Sequence, residues 1–168
     1  NGLLGFHSTS NPGFRDRLDA RIKAGFIIAP WGMNTGFWTE ADLAGITLPS
    51  FYVAGDQDNV AGYENGTKAI FEGAINSERY LLTYLGAGHN AGAPIQVPLE
   101  LDNEENVEPA MHYRDRSWDN VEMNNIMDHF ATIWFDYHLK GIERSNALDR
   151  IPANYQERLL FEHLSIGE

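Results

Sequence analysis

The sequence predicts an α/β fold built on a parallel sheet, and three observations carry that reading. First, three short apolar runs are each bounded by turn residues: Ile22-Lys23-Ala24-Gly25-Phe26-Ile27-Ile28-Ala29, Ser50-Phe51-Tyr52-Val53-Ala54 and Tyr80-Leu81-Leu82-Thr83-Tyr84-Leu85. Such runs suit strands buried on both faces. Second, helical stretches separate the runs, and strands alternating with helices imply right-handed parallel crossovers. Third, a long amphipathic stretch from about Trp118 to Leu139 follows, with Val121, Ile126, Phe130, Ile133, Trp134 and Tyr137 at helical spacing.

Each element has a local reason. Asn1 to Pro12 is rich in Gly, Ser and Asn and reads as loop, and Phe14 to Leu18 reads as the end of a helix. Pro30 closes the first strand. Thr39-Glu40-Ala41-Asp42 opens a short helix with Thr39 as N-cap. Pro49 precedes the second strand, which ends at Gly55-Asp56-Gln57-Asp58. Tyr63 to Ile75 reads as a helix, with Ala69, Ile70 and Ala74 on one face. The third strand breaks at Gly86-Ala87-Gly88-His89. Ala91 to Asp115 is Pro-rich and acidic and has no period. A loop of that length is uncommon unless it serves or covers a site. Gly141 is a natural stop for the long helix. Gln156 to Leu164 has a mixed pattern, a short strand or a frayed helix.

Composition narrows the function. The 168 residues amount to about one domain, long enough to bury a core. Lys plus Arg is 12 against 24 Asp plus Glu, a formal charge of -12, which repels phosphate backbones and anionic membrane surfaces. Nucleic acid is therefore not an expected partner. No segment approaches a membrane span. There is no cysteine, so disulfides and thiolate catalysis are excluded, and the histidines lack metal-ligand spacing. Absent cysteine identifies no compartment. The chain begins Asn1-Gly2-Leu3 without methionine, so its start is expected to lie further upstream.

The chemistry is expected beyond the carboxyl ends of the strands. Trp31-Gly32-Met33-Asn34 follows the first strand, Asp56 and Asp58 the second, and His89 the third. Strands lie only about 5 Å apart, so an acid and a histidine on neighbouring ends can meet. In a relay the carboxylate fixes the tautomer of the histidine, and the histidine moves the proton. Asp58 is the expected acid and His89 the expected base; Asp56 is the alternative acid. Trp31, Met33 and Trp38, with Asn90 beside the base, are the substrate-binding candidates. The aromatic loop from Trp31 to Trp38 serves equally well as plain packing.

The segments DARIKAGFIIAPWG, LPSFYVAGDQDNV and RYLLTYLGAGHNAG lie within the stretch from about Leu18 to Gly92, which with the later HYRDRSWDNVEMNNIMDHFATIWFDYHLKG covers about two-thirds of the chain. Together they resemble the dienelactone-hydrolase-like group of the α/β-hydrolase superfamily. The resemblance implies that Asp58 is the catalytic acid and His89 the catalytic base of a Ser-Asp-His triad, whose chain order is nucleophile, acid, histidine. It implies a serine hydrolase that cleaves a small-molecule ester without a cofactor. One departure is large: there is no Gly-x-Ser-x-Gly elbow. Gly5-Phe6-His7-Ser8-Thr9-Ser10 comes nearest, but it lacks the closing glycine and a preceding strand. Residues 1–168 are therefore expected to be the C-terminal part of one α/β-hydrolase domain. The N-terminal half, with the nucleophile elbow, is expected as a second polypeptide or as further residues of the same protein. The chain alone is expected to be inactive. Two other readings stay open: a hydrolase of lactone, amide or peptide bonds, and a non-catalytic binding or scaffold protein of the same fold.

Overall fold

The strand sequences dictate where the sheet lies. In the computed structural model, which describes residues 11, 13, 19–92, 95–143, 148, 151 and 153–168, four strands form one sheet. They are β1 (Gly25–Ile28), β2 (Ser50–Gly55), β3 (Arg79–Tyr84) and β4 (Leu159–Leu164), side by side in that order. β1, β2 and β3 run parallel, with Gly25 opposite Ser50 and Gly55 opposite Tyr84. β4 joins β3 antiparallel, with Tyr84 opposite Leu159. The sheet is thus mixed, not wholly parallel, and the tail that read as strand or frayed helix is a strand.

β2 and β3 are buried at every position. Their side chains alternate between two covered faces, so the middles of both strands are apolar, with Ser50, Arg79 and Thr83 the buried polar exceptions. Phe51, Val53, Tyr80, Leu82 and Tyr84 pack toward the long helix. Tyr52, Ala54 and Leu81 pack on the other face with Leu43, Ile70 and Phe71. β1 is shorter than the apolar run around it, because Ile22 is half-exposed and outside the sheet. The N–H groups of Gly25 and Ala29 donate to the Pro49 and Val53 carbonyls. The backbone groups of Phe26 and Ile28 therefore point away from β2, along an edge that no described strand covers.

Three α-helices connect the sheet's strands or border its ends: α1 (Glu40–Leu43), α2 (Lys68–Gly73) and α3 (Val107–Ala110). Thr39 caps α1 in a reciprocal box with Asp42. The stretch before α2 differs from the expected continuous helix. Residues Tyr63–Thr67 form a wide π-type turn with Gly66 at non-helical φ and ψ. A Cβ on Gly66 would meet the Ala61 carbonyl oxygen at 2.1 Å, so only glycine lets the chain close there. The acidic segment after β3 also holds more structure than its composition signals, with a short 3-10 turn at Glu104–Asn106 leading into α3.

α4 (Asn120–Lys140) lies across one face of the sheet. The Asp119 side chain accepts from the Glu122 N–H at its start, and Gly141 ends it in the left-handed region at φ 66. Its core stripe is Met123, Ile126, Phe130 and Trp134. Val121 and Tyr137, expected on that stripe, are exposed. Twenty-one residues of helix span about 31 Å, whereas a six-residue strand spans about 20 Å, so the helix outruns the sheet at its ends. Two polar handles fasten it. The Tyr84 hydroxyl donates to the Met123 carbonyl at 3.1 Å, and the Trp134 indole donates to the Gly25 carbonyl at 3.1 Å.

At the sheet end away from Asp58 and His89, Arg79 is fully buried. Its guanidinium donates only to main-chain carbonyls, those of Phe71, Glu72, Ser77, Ser165 and Glu168, and so ties α2 and the C-terminal residues to β3. Such a charge is tolerated because its donors are satisfied. Arg79→Met orphans those carbonyls and is expected to cost about 3 kcal/mol in urea unfolding. A loss under about 0.5 kcal/mol would mean that the lock contributes nothing beyond packing.

Candidate active site

Two turns meet where β2 and β3 end. The Asp58 N–H donates to the Gly55 carbonyl at 3.2 Å and closes the first turn. The Ala87 N–H donates to the Tyr84 carbonyl at 3.3 Å and closes the second, with Gly86 at φ 77. Gly55 and Tyr84 are paired across the two strands, so the turns leave the sheet side by side. They are laced together. The Gln57 N–H donates to the Ala87 carbonyl at 2.9 Å, and the Gly86 N–H donates to Asp56 Oδ1 at 2.6 Å. A Cβ on Gly55 would lie 2.3 Å from the Ala87 oxygen and 2.4 Å from the Gly88 oxygen. Glycine is required there for close approach rather than for a special φ.

That approach brings the expected acid and base together. His89 Nδ1 lies 2.9 Å from Asp58 Oδ2. Asp58 Oδ1 accepts from the Val60 N–H at 2.8 Å and the Ala61 N–H at 2.9 Å. The Asp58 side chain is fully buried, whereas that of His89 is 38% exposed. An ionised carboxylate can only accept, so Nδ1 is the donor and the Nε2 lone pair is left free to take a proton. Nε2 makes no hydrogen bond to any described residue. Asp56, the alternative acid, has its carboxylate on the Gly86 N–H and serves the turn.

The other candidates divide. His89 and Asn90 border a cleft of about 410 Å³, walled on one side by Gln57, Asn59 and Val60 and on the other by Glu108, Met111, His112 and Arg114 to Ser117. Asn90 turns its amide group onto loop carbonyls of that second wall. Trp31, Met33 and Trp38 do not line this cleft. Met33 and Trp38 pack against the Tyr52 and Phe71 side of the core. Trp31 is half-exposed and meets Phe37 edge to face at 5.0 Å. Ala29, which precedes this aromatic loop, is the one described non-glycine residue with a positive φ, at 42°. Backbone strain of that kind needs firm support on both sides.

Sequence reasoning missed His112, Arg114, Asp115 and Arg116 in the cleft wall. The only signal for them was the length of the segment that holds them. Arg114 pairs with Asp102, while Arg116 has no ion-pair partner among the described residues. No described group of three or more His, Asp or Glu is arranged to hold a metal ion. Ser8 and Ser10 lie outside the described residues, as do His7 and the stretch from Phe14 to Leu18.

No protein-family model matches the chain, and no curated protein is similar enough to stand as a relative. The chemistry of the site therefore has to be argued from its geometry.

Gly55→Ala tests whether the two turns depend on their close approach. The added methyl group forces them apart, at an expected cost of about 1–3 kcal/mol in denaturant unfolding together with loss of the Asp58–His89 contact. Wild-type stability in this variant would show that the turns can separate freely.

Proposed function

We propose that this chain supplies the acid and base of an ester-cleaving serine hydrolase, and that it is the C-terminal portion of an α/β-hydrolase domain of the dienelactone-hydrolase-like kind. One observation carries the reading: a fully buried carboxylate holds Nδ1 of a half-exposed histidine at 2.9 Å, at the carboxyl ends of adjacent parallel strands. Open sheets place ligands at that edge. The orientation is the one a relay needs, with the acid in the protein and the far nitrogen toward solvent.

In the proposed cycle a serine hydroxyl attacks the carbonyl carbon of a small-molecule ester. His89 Nε2 takes the hydroxyl proton as the Ser–O–C bond forms, and returns it to the leaving alcohol as the ester C–O bond breaks. Water then attacks the acyl-enzyme, His89 takes one of its protons, and the serine is released with that proton restored. Asp58 stabilises the imidazolium and holds the tautomer throughout. The serine and the oxyanion donors come from a segment carrying further strands, seated along the free edge of β1. The cycle uses no cofactor. Lactones, amides and peptides remain within reach of the same acyl-transfer chemistry.

A second reading fits the same geometry: a binding protein that keeps the fold without the nucleophile. No helix among the described residues is long and apolar enough to cross a membrane, and with either reading the proposed ligand is a small molecule.

Two measurements test the enzyme reading. In the protein assembled with its nucleophile-bearing segment, His89→Ala is expected to lower kcat on a chromogenic ester by about 1,000-fold or more, and Asp58→Asn by a similar order. Near-normal turnover by His89→Ala would remove His89 from the mechanism. The 168-residue chain alone is expected to hydrolyse the same ester no faster than buffer. Real activity in the isolated chain would place the nucleophile among its own residues, with Ser8 and Ser10 the first to test.

A further inference from the structure

The main chain on either side of His89 is clasped from the far wall of the cleft. The Gly88 N–H donates to Asp115 Oδ2 at 2.7 Å. Asn90 Nδ2 donates to the carbonyls of Met111 at 2.7 Å and Arg114 at 2.8 Å. These three bonds fall on the two residues that flank the base. The wall itself has a fixed foot. Asp115 Oδ1 accepts from the N–H groups of Ser117 at 2.8 Å and Trp118 at 3.1 Å. The Trp118 side chain is buried, and its indole donates to the Leu85 carbonyl at 2.9 Å. One face of its ring is covered by the Arg158 guanidinium at 3.7 Å.

The geometry creates a need for such a clasp. His89 follows the Gly86-Ala87-Gly88 turn, its ring is held by one hydrogen bond, and water can reach it. On the β2 side, the lacing holds Gly86 and Ala87 but neither neighbour of His89. A single hydrogen bond open to solvent holds a ring poorly unless its backbone is fixed, and a misplacement of about 1 Å spoils a proton relay.

We propose that Asp115 and Asn90 are positioning residues for His89: they couple the 108–117 wall of the cleft to the base, so that the imidazole stays in register with Asp58 only while that wall is docked. Neither residue touches the ring or the reacting atoms. The coupling rests on the Asp58–His89 pairing and does not depend on which bond the site cleaves, or on whether it cleaves one.

The test follows the His89 Nδ1–H proton by nuclear magnetic resonance in the full chain and measures its exchange with water. Asp115→Asn keeps the side-chain shape and one acceptor for Ser117 and Trp118 but removes the acceptor for Gly88. Asn90→Ala removes both bonds to the wall. Asp102→Asn is the control: it breaks the Arg114 ion pair in the same wall and leaves residues 88 and 90 alone. Asp115→Asn and Asn90→Ala are each expected to speed exchange by about 10-fold, the equivalent of one lost hydrogen bond, and Asp102→Asn to leave it unchanged. Wild-type exchange in both clasp variants would overturn the proposal. So would equal acceleration by Asp102→Asn, which would show general loosening of the wall. If Asn90→Ala fails to fold, the nearly isosteric Asp115→Asn decides alone. Absence of the proton from the wild-type spectrum at low temperature would remove the Asp58–His89 pairing and this proposal together. Failure to cleave esters would leave the proposal standing.

Discussion

At Gly55 the carbonyl oxygens of Ala87 and Gly88 occupy the space that any side chain would need. The acid turn and the base turn can pack against one another only because that position carries a hydrogen. From this contact follow the two lacing bonds through Asp56 and Gln57, and from the lacing follows the 2.9 Å separation of Asp58 and His89. β2 and β3 set the stage, since parallel pairing of Gly55 with Tyr84 brings both turns to the same edge. The sheet alone would leave the turns adjacent but unjoined.

Burial then makes the pair interdependent. The Asp58 carboxylate has no exposed side-chain surface, and its negative charge is matched by two main-chain N–H groups and one imidazole. A buried carboxylate stripped of one donor pays a desolvation penalty that water cannot relieve. His89 is thus held by an acid that itself needs the histidine, while its other nitrogen remains on the open side. Arg79 obeys the same rule at the other end of the paired strands, where its guanidinium donates to five main-chain carbonyls. Arg79 and Asp58, at opposite ends of the paired strands β2 and β3, use local hydrogen bonding in different ways: one ties down the chain, the other fixes a histidine whose second nitrogen stays open.

The strands β2 and β3 were legible because burial on both faces makes their central runs, Phe51 to Ala54 and Tyr80 to Leu82, continuously apolar. Asp58 and His89 were legible because glycine-rich turns mark the strand ends. Gly141 signalled the end of α4 through its backbone, and Thr39 the start of α1 through its hydroxyl. Other features left no such mark. β1 pairs over four residues only, and the apolar run around it does not say where pairing stops. β4 carries Glu162 and His163 among apolar residues, since its exposure varies along its length, and its antiparallel direction has no sequence signature. The π-type turn depends on Gly66 meeting a carbonyl far from it in side-chain terms, which periodicity cannot register. Val121 fitted a helical stripe by spacing but lies beyond the core that the sheet provides. Asp115 was invisible because its partners are main-chain N–H groups, which do not depend on residue type. Asn90 was legible beside the base as a substrate-binding candidate, but its bonds to the Met111 and Arg114 carbonyls had no sequence signal. The aromatic loop from Trp31 to Trp38 was placed at the correct strand end, yet it packs away from the cleft at His89.

The Asp58–His89 pairing is defined by the direction of its hydrogen bond, and the protonation of each ring nitrogen reads that direction. Long-range proton–nitrogen correlation of the neutral His89 imidazole distinguishes the two tautomers. The structure requires the proton on Nδ1, facing Asp58, and a bare Nε2. A spectrum with the proton on Nε2 and none on Nδ1 would contradict the pairing and, with it, the proposed role of His89 as a base.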